Sequence, residues 1–152
     1  MSTTLTENPS QEAFEDGLRR HLEHPAADTI VPGVEGVREG LDLAELDALR
    51  ERLGLTQDVL ERTLDVSSRT LQRRRKGDRR LTPAESDRLW RMLHVFELAL
   101  EAFNGNEGAV RAWLTTPKPV LNGETPLDRL DTEPGLREVE DMLTVIDETA
   151  AA

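Results

Sequence analysis

The chain has 152 residues and is strongly acidic, with 30 Asp+Glu against 19 Lys+Arg and a formal net charge of −11. It contains no cysteine, which excludes disulfides and thiolate metal sites and is typical of a reducing compartment. No stretch approaches the ~20 apolar residues of a membrane span, and the first residues lack the basic start and apolar run of a secretory signal. We therefore expect one domain, or two small ones sharing a core, in the cytoplasm.

The first 40 residues give the weakest structural signals. Three apolar residues spaced four apart predict a short amphipathic helix over 11–22. Residues 24–40 hold two prolines and three glycines, a composition typical of a linker or loop. We interpret residues 1–36 as an N-terminal arm with one short helix at most, or partly disordered.

Three helices are predicted from position 42 onward, each with a polar capping residue at its start. The predicted caps are Asp42 (with Glu45 closing a capping box), Thr56 and Ser67. The helices follow over 43–53, 57–63 and 68–76, and glycines at 54 and 77 end the first and the last.

A long helix is the strongest element of the second half. Thr82, Pro83 and Glu85 form its starting signal, and it can run to about Phe103. Two adjacent apolar seams predict that it is buried on two sides, as a central pillar. Shorter helices are predicted from Asn106 to Leu114, from the capping box at Thr125–Asp128, and from about Pro134 to the end.

Residues 69–80 concentrate seven of the chain's 19 basic groups, while the chain as a whole is acidic. Two short helices joined by a three-residue turn, the second helix basic, are typical of a helix-turn-helix. Glutamine and arginine make bidentate contacts with adenine and guanine edges, and hydroxyls and further arginines reach phosphates. The predicted DNA contacts are Ser67, Ser68, Arg69, Thr70, Gln72, Arg73, Arg75, Lys76, Arg79 and Arg80. The alternative is that these arginines pair internally with acidic neighbours.

Other kinds of chemistry find little support in the sequence. His21 and His24 have a spacing that could suit a metal, but no further histidine lies nearby. His94 lies in the long apolar helix and is interpreted as a hydrogen-bonded interior residue. No nucleophile motif and no phosphate-binding glycine loop is present. We predict no enzyme activity, no metal and no cofactor.

A resemblance to a known family rests on residues 109–147, which read AVRAWLTTPKPVLNGETPLDRLDTEPGLREVEDMLTVID. They contain in order an alanine (Ala109 or Ala112) close before Trp113-Leu114, a proline, an L-x-G-x-x-P-L-D-x-L segment, a T-E-x-G and a closing amphipathic helix. This order resembles the toxin-binding domain of the Xre/MbcA/ParS family of antitoxins. The preceding arginine-rich helix and the S-D-R-L start of the long helix resemble the same family, so the match covers about 41–147.

The resemblance implies an all-α fold in which a helix-turn-helix region with a long connecting helix (37–103) joins a small helical toxin-binding module (104–152). It implies a homodimeric type II antitoxin that occludes the active site of an NAD-consuming RES-domain toxin and represses its own promoter. The net charge of −7 over residues 101–152 would suit a basic pocket for an anionic dinucleotide. The expected toxin-binding residues are Trp113, Leu114, Pro117, Leu121, Gly123, Pro126, Leu127, Met142, Val145 and Ile146.

Two residues depart from the usual pattern of such reading units. Glu61 stands where a small residue is common, so we expect it to point outward or find a partner. Asp65 stands where glycine is common and must adopt the left-handed turn conformation. Two alternatives remain open: a helix-turn-helix transcription regulator whose C-terminal half serves only dimerisation, and an interaction module whose arginines only pair internally.

Overall fold

The computed structural model describes residues 31–151 of the chain, so the helix predicted over 11–22 lies outside the described residues. The all-α prediction is confirmed: the described elements are helices, and an isolated β-bridge joins Asp42 to Arg80. The α-helices are α1 (Val34–Glu39), α2 (Leu43–Leu53), α3 (Gln57–Leu64), α4 (Ser68–Arg75), α5 (Pro83–Ala102), α6 (Glu107–Thr115) and α7 (Glu133–Ala151). Two 3-10 helices, Pro119–Leu121 and Leu127–Asp131, separate α6 from α7.

Polar side chains start most of these helices where the sequence predicted them. The residues whose side-chain oxygen accepts a backbone N–H of the first turn are Asp42, Thr56, Ser67, Thr82 and Asn106. The capping box at Thr82 is complete, because the Glu85 carboxylate also accepts the Thr82 N–H at 2.9 Å. The box predicted at Asp42 is wrong: Asp42 accepts from Ala44, and the buried Glu45 Oε2 has no hydrogen-bond partner among the described residues.

Helix α1 corrects the interpretation of 24–40 as a linker or loop. Residues 34–39 are helical, although none of them is buried, and residues 24–30 lie outside the described part. Gly40 ends α1 at φ +96°, and a Cβ there would lie 2.3 Å from the carbonyl oxygen of Leu81. The Trp90 indole donates to the Pro32 carbonyl at 2.9 Å. Tertiary contacts with α5 and the chain before it therefore hold α1, which local composition did not indicate.

Helix α5 is the central pillar that its two apolar seams predicted. It packs against α1, α3, α6, α7 and the second 3-10 helix. Leu89, Val95 and Phe96 are fully buried at 0% exposure, and their buried neighbours form one continuous apolar cluster from Leu41 to Leu143. Burial of apolar side chains is the main favourable contribution to folding, so the segments before and after α5 are stabilised by the same core. No helix in residues 31–151 is long and apolar enough to cross a membrane.

Polar contacts also join residues before α6 to residues within α6 and after it. Each such contact links groups that are far apart in the chain, and several are partly shielded from solvent. They are Arg52 with Glu107 at 2.5 Å, Arg62 with Asp128 at 3.0 Å, Arg91 with the Leu130 carbonyl at 3.2 Å, and His94 with Glu140 at 2.7 Å. The predicted division into 37–103 and 104–152 stays a prediction, but the interior that these residues share is continuous.

Two local features shape the segment between α6 and α7. Thr125 and Asp128 exchange side-chain-to-backbone hydrogen bonds of 3.0 and 3.1 Å, so the predicted capping box forms, although it starts a 3-10 helix. Gly135 lies in the first turn of α7 and donates its N–H to Thr132 Oγ1 at 3.2 Å. A Cβ at Gly135 would lie 1.9 Å from the Arg129 carbonyl oxygen. The T-E-x-G sequence thus places a residue without a side chain where two backbones nearly touch.

Candidate nucleic-acid and partner surfaces

Helices α3 and α4 are joined by the turn that a helix-turn-helix requires. Asp65 takes the left-handed conformation at φ 54° and ψ 46°, as expected, and its side chain is solvent-exposed. Leu60, Val66 and Leu71 are buried together at 0, 6 and 1% exposure. The apolar sides of both helices therefore face the core, which leaves the opposite side of α4 in solvent.

The solvent side of α4 presents polar groups that could contact DNA. Arg69, Gln72, Arg73 and Lys76 are exposed, and none of these four side chains has a hydrogen-bond or ion-pair partner within residues 31–151. Their donors are therefore available to an external acceptor. Ser67 and Thr70, also predicted contacts, bond to each other at 3.0 Å within the cap of α4, and Ser68 is half-buried beside them.

Three other arginines of the basic run, Arg74, Arg75 and Arg79, are bound by the chain's own carboxylates. Both Nη atoms of Arg75 donate to the Asp47 carboxylate at 2.7 Å, and Arg79 lies 3.7 Å from Asp42. Arg74 makes a two-bonded pair with Glu85, one bond being 3.1 Å long. Arg75 and Arg79 were predicted to contact flanking phosphates, and the structure engages both internally instead. Within residues 31–151, internal pairing therefore accounts for these three arginines and not for the exposed side of α4.

These pairs perturb the carboxylates that accept them. The hydrogen bond from Arg75 is the largest influence on Asp47 and lowers its pKa. Burial by itself raises the pKa of Glu85, but the bonds from Arg74 and Thr82 outweigh it and the net pKa is lowered. Both carboxylates are thus held in the ionised form that an arginine partner needs.

Two acidic residues near the reading unit, Glu61 and Asp65, have partners of their own. Glu61 finds the partner that its position demanded, because Gln57 Nε2 donates to it at 3.3 Å. Asp65 lies 3.9 Å from Arg88 at the turn.

Arg80 remains exposed, and its Nη1 donates to the Glu39 carbonyl at 3.4 Å. The last predicted phosphate contact thus lies beside the end of α1.

Four of the expected toxin-binding residues lie inside the chain. Leu114, Leu121 and Leu127 are 1 to 2% exposed, and Pro126 is buried as well. Their side chains cannot touch a partner in this conformation, so direct contact through them is corrected to a packing role. Gly123 is exposed in a turn at φ +83°, where it serves the backbone rather than a contact side chain.

The end of α6 and the segment after it present an apolar surface, of which the sequence predicted only a part. Trp113 is half-buried, 6.1 Å from Phe103 between ring centroids, and Lys118 Nζ lies 5.5 Å from the indole. Pro117 is exposed, as predicted for a contact residue. Val120, in the 3-10 helix Pro119–Leu121, is 73% exposed. The sequence does not indicate it, because a lone valine between prolines and glycine gives no periodic signal.

Helix α7 presents a mixed apolar and acidic face. Val145 is 61% exposed, whereas Met142 and Ile146 are half-buried. Beside them, α5 and α7 border a groove of about 410 Å³ that His94, Leu98 and Leu143 line together with four carboxylates and Thr144. Within the described residues no cluster of His, Asp or Glu could hold a metal ion, and His21 and His24 lie outside them.

The turn, the buried α3–α4 interface and the exposed cationic side of α4 define a helix-turn-helix protein with a second, all-helical module on the same core. Residues 32–94 match the model of the antitoxin Xre-like helix-turn-helix domain. Residues 98–148 match the model of the antitoxin Xre/MbcA/ParS C-terminal toxin-binding domain. The chain belongs to the Xre family of antitoxins, the antitoxin components of type II toxin–antitoxin systems.

Curated relatives agree with the domain models. Antitoxin Xre of Pseudomonas putida is 39% identical over 112 residues, which span 74% of this chain and 69% of that protein. Antitoxin Xre of Yersinia enterocolitica is 32% identical over 110 residues, spanning 72% of this chain and 74% of that protein. Antitoxin Xre of Photorhabdus laumondii is 28% identical over 107 residues, spanning 70% and 72%. Both matched domains are antitoxin domains and neither is an enzyme family.

Proposed function

We propose that the chain neutralises a RES-domain, NAD-consuming toxin by covering the entrance to its active site, and that as a homodimer it represses its own promoter. The observation that carries this proposal is the contrast between two exposed surfaces of one chain. The solvent side of α4 holds cations that have no partner within residues 31–151, and α7 displays an apolar patch among carboxylates. Such surfaces favour partners of opposite charge.

The repressor part of the proposal depends on α4. Arginine and glutamine side chains read base edges in the major groove, and one short helix reads too few bases for specificity. A dimer that places two copies of α4 on successive half-sites supplies the rest. Size-exclusion chromatography with light scattering measures the dimer directly, and a monomer at micromolar concentration with and without promoter DNA would contradict it.

A double substitution tests the DNA-binding surface. Gln72→Ala with Arg73→Ala should weaken binding to a duplex from upstream of the chain's own reading frame by roughly a hundredfold, since each bidentate base contact contributes about 1–3 kcal/mol. Arg38→Ala is the matched control, because it removes an exposed arginine from α1 whose only described ion pair is the exposed one with Glu35. Equal losses in both variants would mean that total charge, rather than α4, governs the interaction.

The toxin-binding part rests on the C-terminal module. A pocket that binds an anionic dinucleotide is expected to be basic, so an acidic surface complements it. This complementarity accelerates the association of the two proteins. An exposed valine gives such a surface an apolar contact that becomes buried on binding. Val145 fits this role, since it is 61% exposed on the outer side of α7.

Co-expression with a RES-domain toxin tests this part, with growth and cellular NAD as readouts. Val145→Glu should raise the dissociation constant for the toxin by roughly tenfold or more, as for a central interface residue. Val34→Glu is the matched control, because Val34 is 64% exposed but lies on α1. If Val145→Glu rescues growth as well as Val34→Glu does, α7 is not the toxin contact. A chain that binds DNA but never co-purifies with a RES-domain protein would instead be a plain transcription regulator.

A further inference from the structure

The basic run contains two arginines whose internal pairing is unlike a solvated surface contact. Arg75 engages Asp47 through both Nη atoms at 2.7 Å, and Arg74 engages Glu85 through two bonds. Such paired, parallel bonds fix geometry as well as contributing energy. Each pair links α4 to a different helix, because Asp47 belongs to α2 and Glu85 to the first turn of α5.

Burial strengthens the case for the pair at Arg74. The side chains of Arg74 and Glu85 are 18% and 12% exposed, whereas the cations on the solvent side of α4 are exposed. The Glu85 carboxylate also closes the capping box by accepting the Thr82 N–H at 2.9 Å. One carboxylate therefore fixes both the start of α5 and the last turn of α4.

The pair at Arg75 acts from the other side. Arg75 is the last residue of α4, where a cation also interacts favourably with the negative end of the helix dipole. Its partner Asp47 lies in the middle of α2, and Arg79 Nη2 approaches the same carboxylate at 3.9 Å. The chain just beyond is held as well, because the Leu43 N–H donates to the Arg79 carbonyl at 2.9 Å.

We propose that Arg74 and Arg75 are positioning residues, which hold the reading helix α4 between α2 and α5 at the angle needed to enter the major groove and do not themselves contact DNA. The proposal rests on the DNA-binding function proposed above. It divides the basic run into DNA-contacting residues on the solvent side and positioning residues on the inner side. The solvent-side residues are Arg69, Gln72, Arg73 and Lys76, and the inner ones are Arg74 and Arg75. In this arrangement Asp47 and Glu85 favour DNA binding although they carry the same sign of charge as phosphate.

Removing the charge of Asp47 changes DNA affinity in opposite directions for the two roles of Arg75. If Arg75 were a phosphate ligand, Asp47→Asn would free it and remove a repulsive charge, so DNA binding would tighten. If Arg75 is a positioning residue, Asp47→Asn loosens α4 and weakens binding to the promoter duplex, by about threefold to tenfold for a half-exposed bidentate pair. Glu51→Gln is the matched control, since it removes the same charge from α2 at an exposed residue that makes no ion pair within residues 31–151. It should leave binding unchanged or slightly tighter.

Salt dependence gives a second readout that loss of stability alone would not move. Each phosphate contact contributes about −0.9 to the slope of log K against log salt concentration. Arg75→Gln should therefore weaken binding without changing that slope, whereas Lys76→Gln, which removes a cation with no described partner, should reduce its magnitude by about 0.9 if Lys76 meets a phosphate. Circular dichroism melts establish that every variant compared is folded at the assay temperature.

The outcomes distinguish failure of the positioning role from failure of the repressor function. Weaker binding by Asp47→Asn, with an unchanged slope for Arg75→Gln, supports the positioning role. Tighter or unchanged binding by Asp47→Asn, or a flatter slope for Arg75→Gln, overturns it while the wild-type chain still binds its promoter. Failure of the folded wild-type chain to bind any promoter duplex refutes the repressor function and the positioning role together.

Discussion

Gly135→Ala tests the close backbone approach at the start of α7. The new Cβ would lie 1.9 Å from the Arg129 carbonyl oxygen, whereas a carbon and an oxygen normally come no closer than about 3.3 Å. Helix α7 or the second 3-10 helix must therefore move by about 1.4 Å within a close-packed interior. Such overpacking costs roughly 3 kcal/mol, and the better helix propensity of alanine offsets up to about 1 kcal/mol.

The net expectation is a loss of about 2 kcal/mol in the free energy of unfolding, which lowers the melting temperature by about 4–8 °C for a chain of this size. Gly108→Ala is the matched control, because it makes the same change in the first turn of α6, where the nearest atom is Asn106 Oδ1 at 3.4 Å. That variant should melt at or slightly above the wild-type temperature. Thermal unfolding followed by far-ultraviolet circular dichroism measures both. If the two alanine variants melt within 1 °C of each other, the steric reasoning is wrong.

Three other substitutions or conditions have definite expected outcomes. Leu93→Asp places an unpaired charge at a buried position of α5. We expect the wild-type core to melt in a single cooperative transition and this variant to lose that transition, as differential scanning calorimetry would record. Asp47, Glu85 and Asp128 all have lowered folded-state pKa values, so their stabilising contribution is complete above the unfolded pKa of about 4 and is lost as pH falls through the folded values. Urea titrations from pH 6 to pH 3 should show that loss, and flat stability would contradict it. Burial, and then the charge of Asp42, raises the pKa of Glu45, so Glu45→Gln should stabilise the chain by less than about 1 kcal/mol at pH 7, with the gain vanishing toward pH 4.

Local sequence signals predicted the helices well because caps act over three residues. Ser67 and Thr82 carry their hydrogen-bonding partners within the same turn, so the start of α4 and of α5 could be located from the sequence. The same locality explains the miss at α1, which has no buried residue of its own. The chain just before it is held by Trp90, which bonds to Pro32 across 58 residues of sequence.

The candidate sites were harder to predict because ion pairing and burial are tertiary properties. The spacing of Arg75 to Asp47 is 28 residues, and no pattern in the basic run distinguishes this arginine from its neighbour Arg73. Resemblance to the family gave the correct module but could not separate buried from exposed members. Leu121 is 2% exposed and Val120 is 73% exposed, although they are adjacent in a 3-10 helix of three residues, which is too short to show periodicity.

Helix α5 contains the junction between the two matched domains, since residues 32–94 and 98–148 meet within its 20 residues. A gene fusion that joins the first part of one relative to the second part of another would interrupt a continuous helix. In the fusion protein, the apolar seams of α5 from one relative would pack against the core of the other relative. Their side-chain volumes would not match, which leaves voids. We therefore expect recombination among such genes to exchange whole reading frames, so that the specificity for a DNA site is inherited together with the specificity for a toxin.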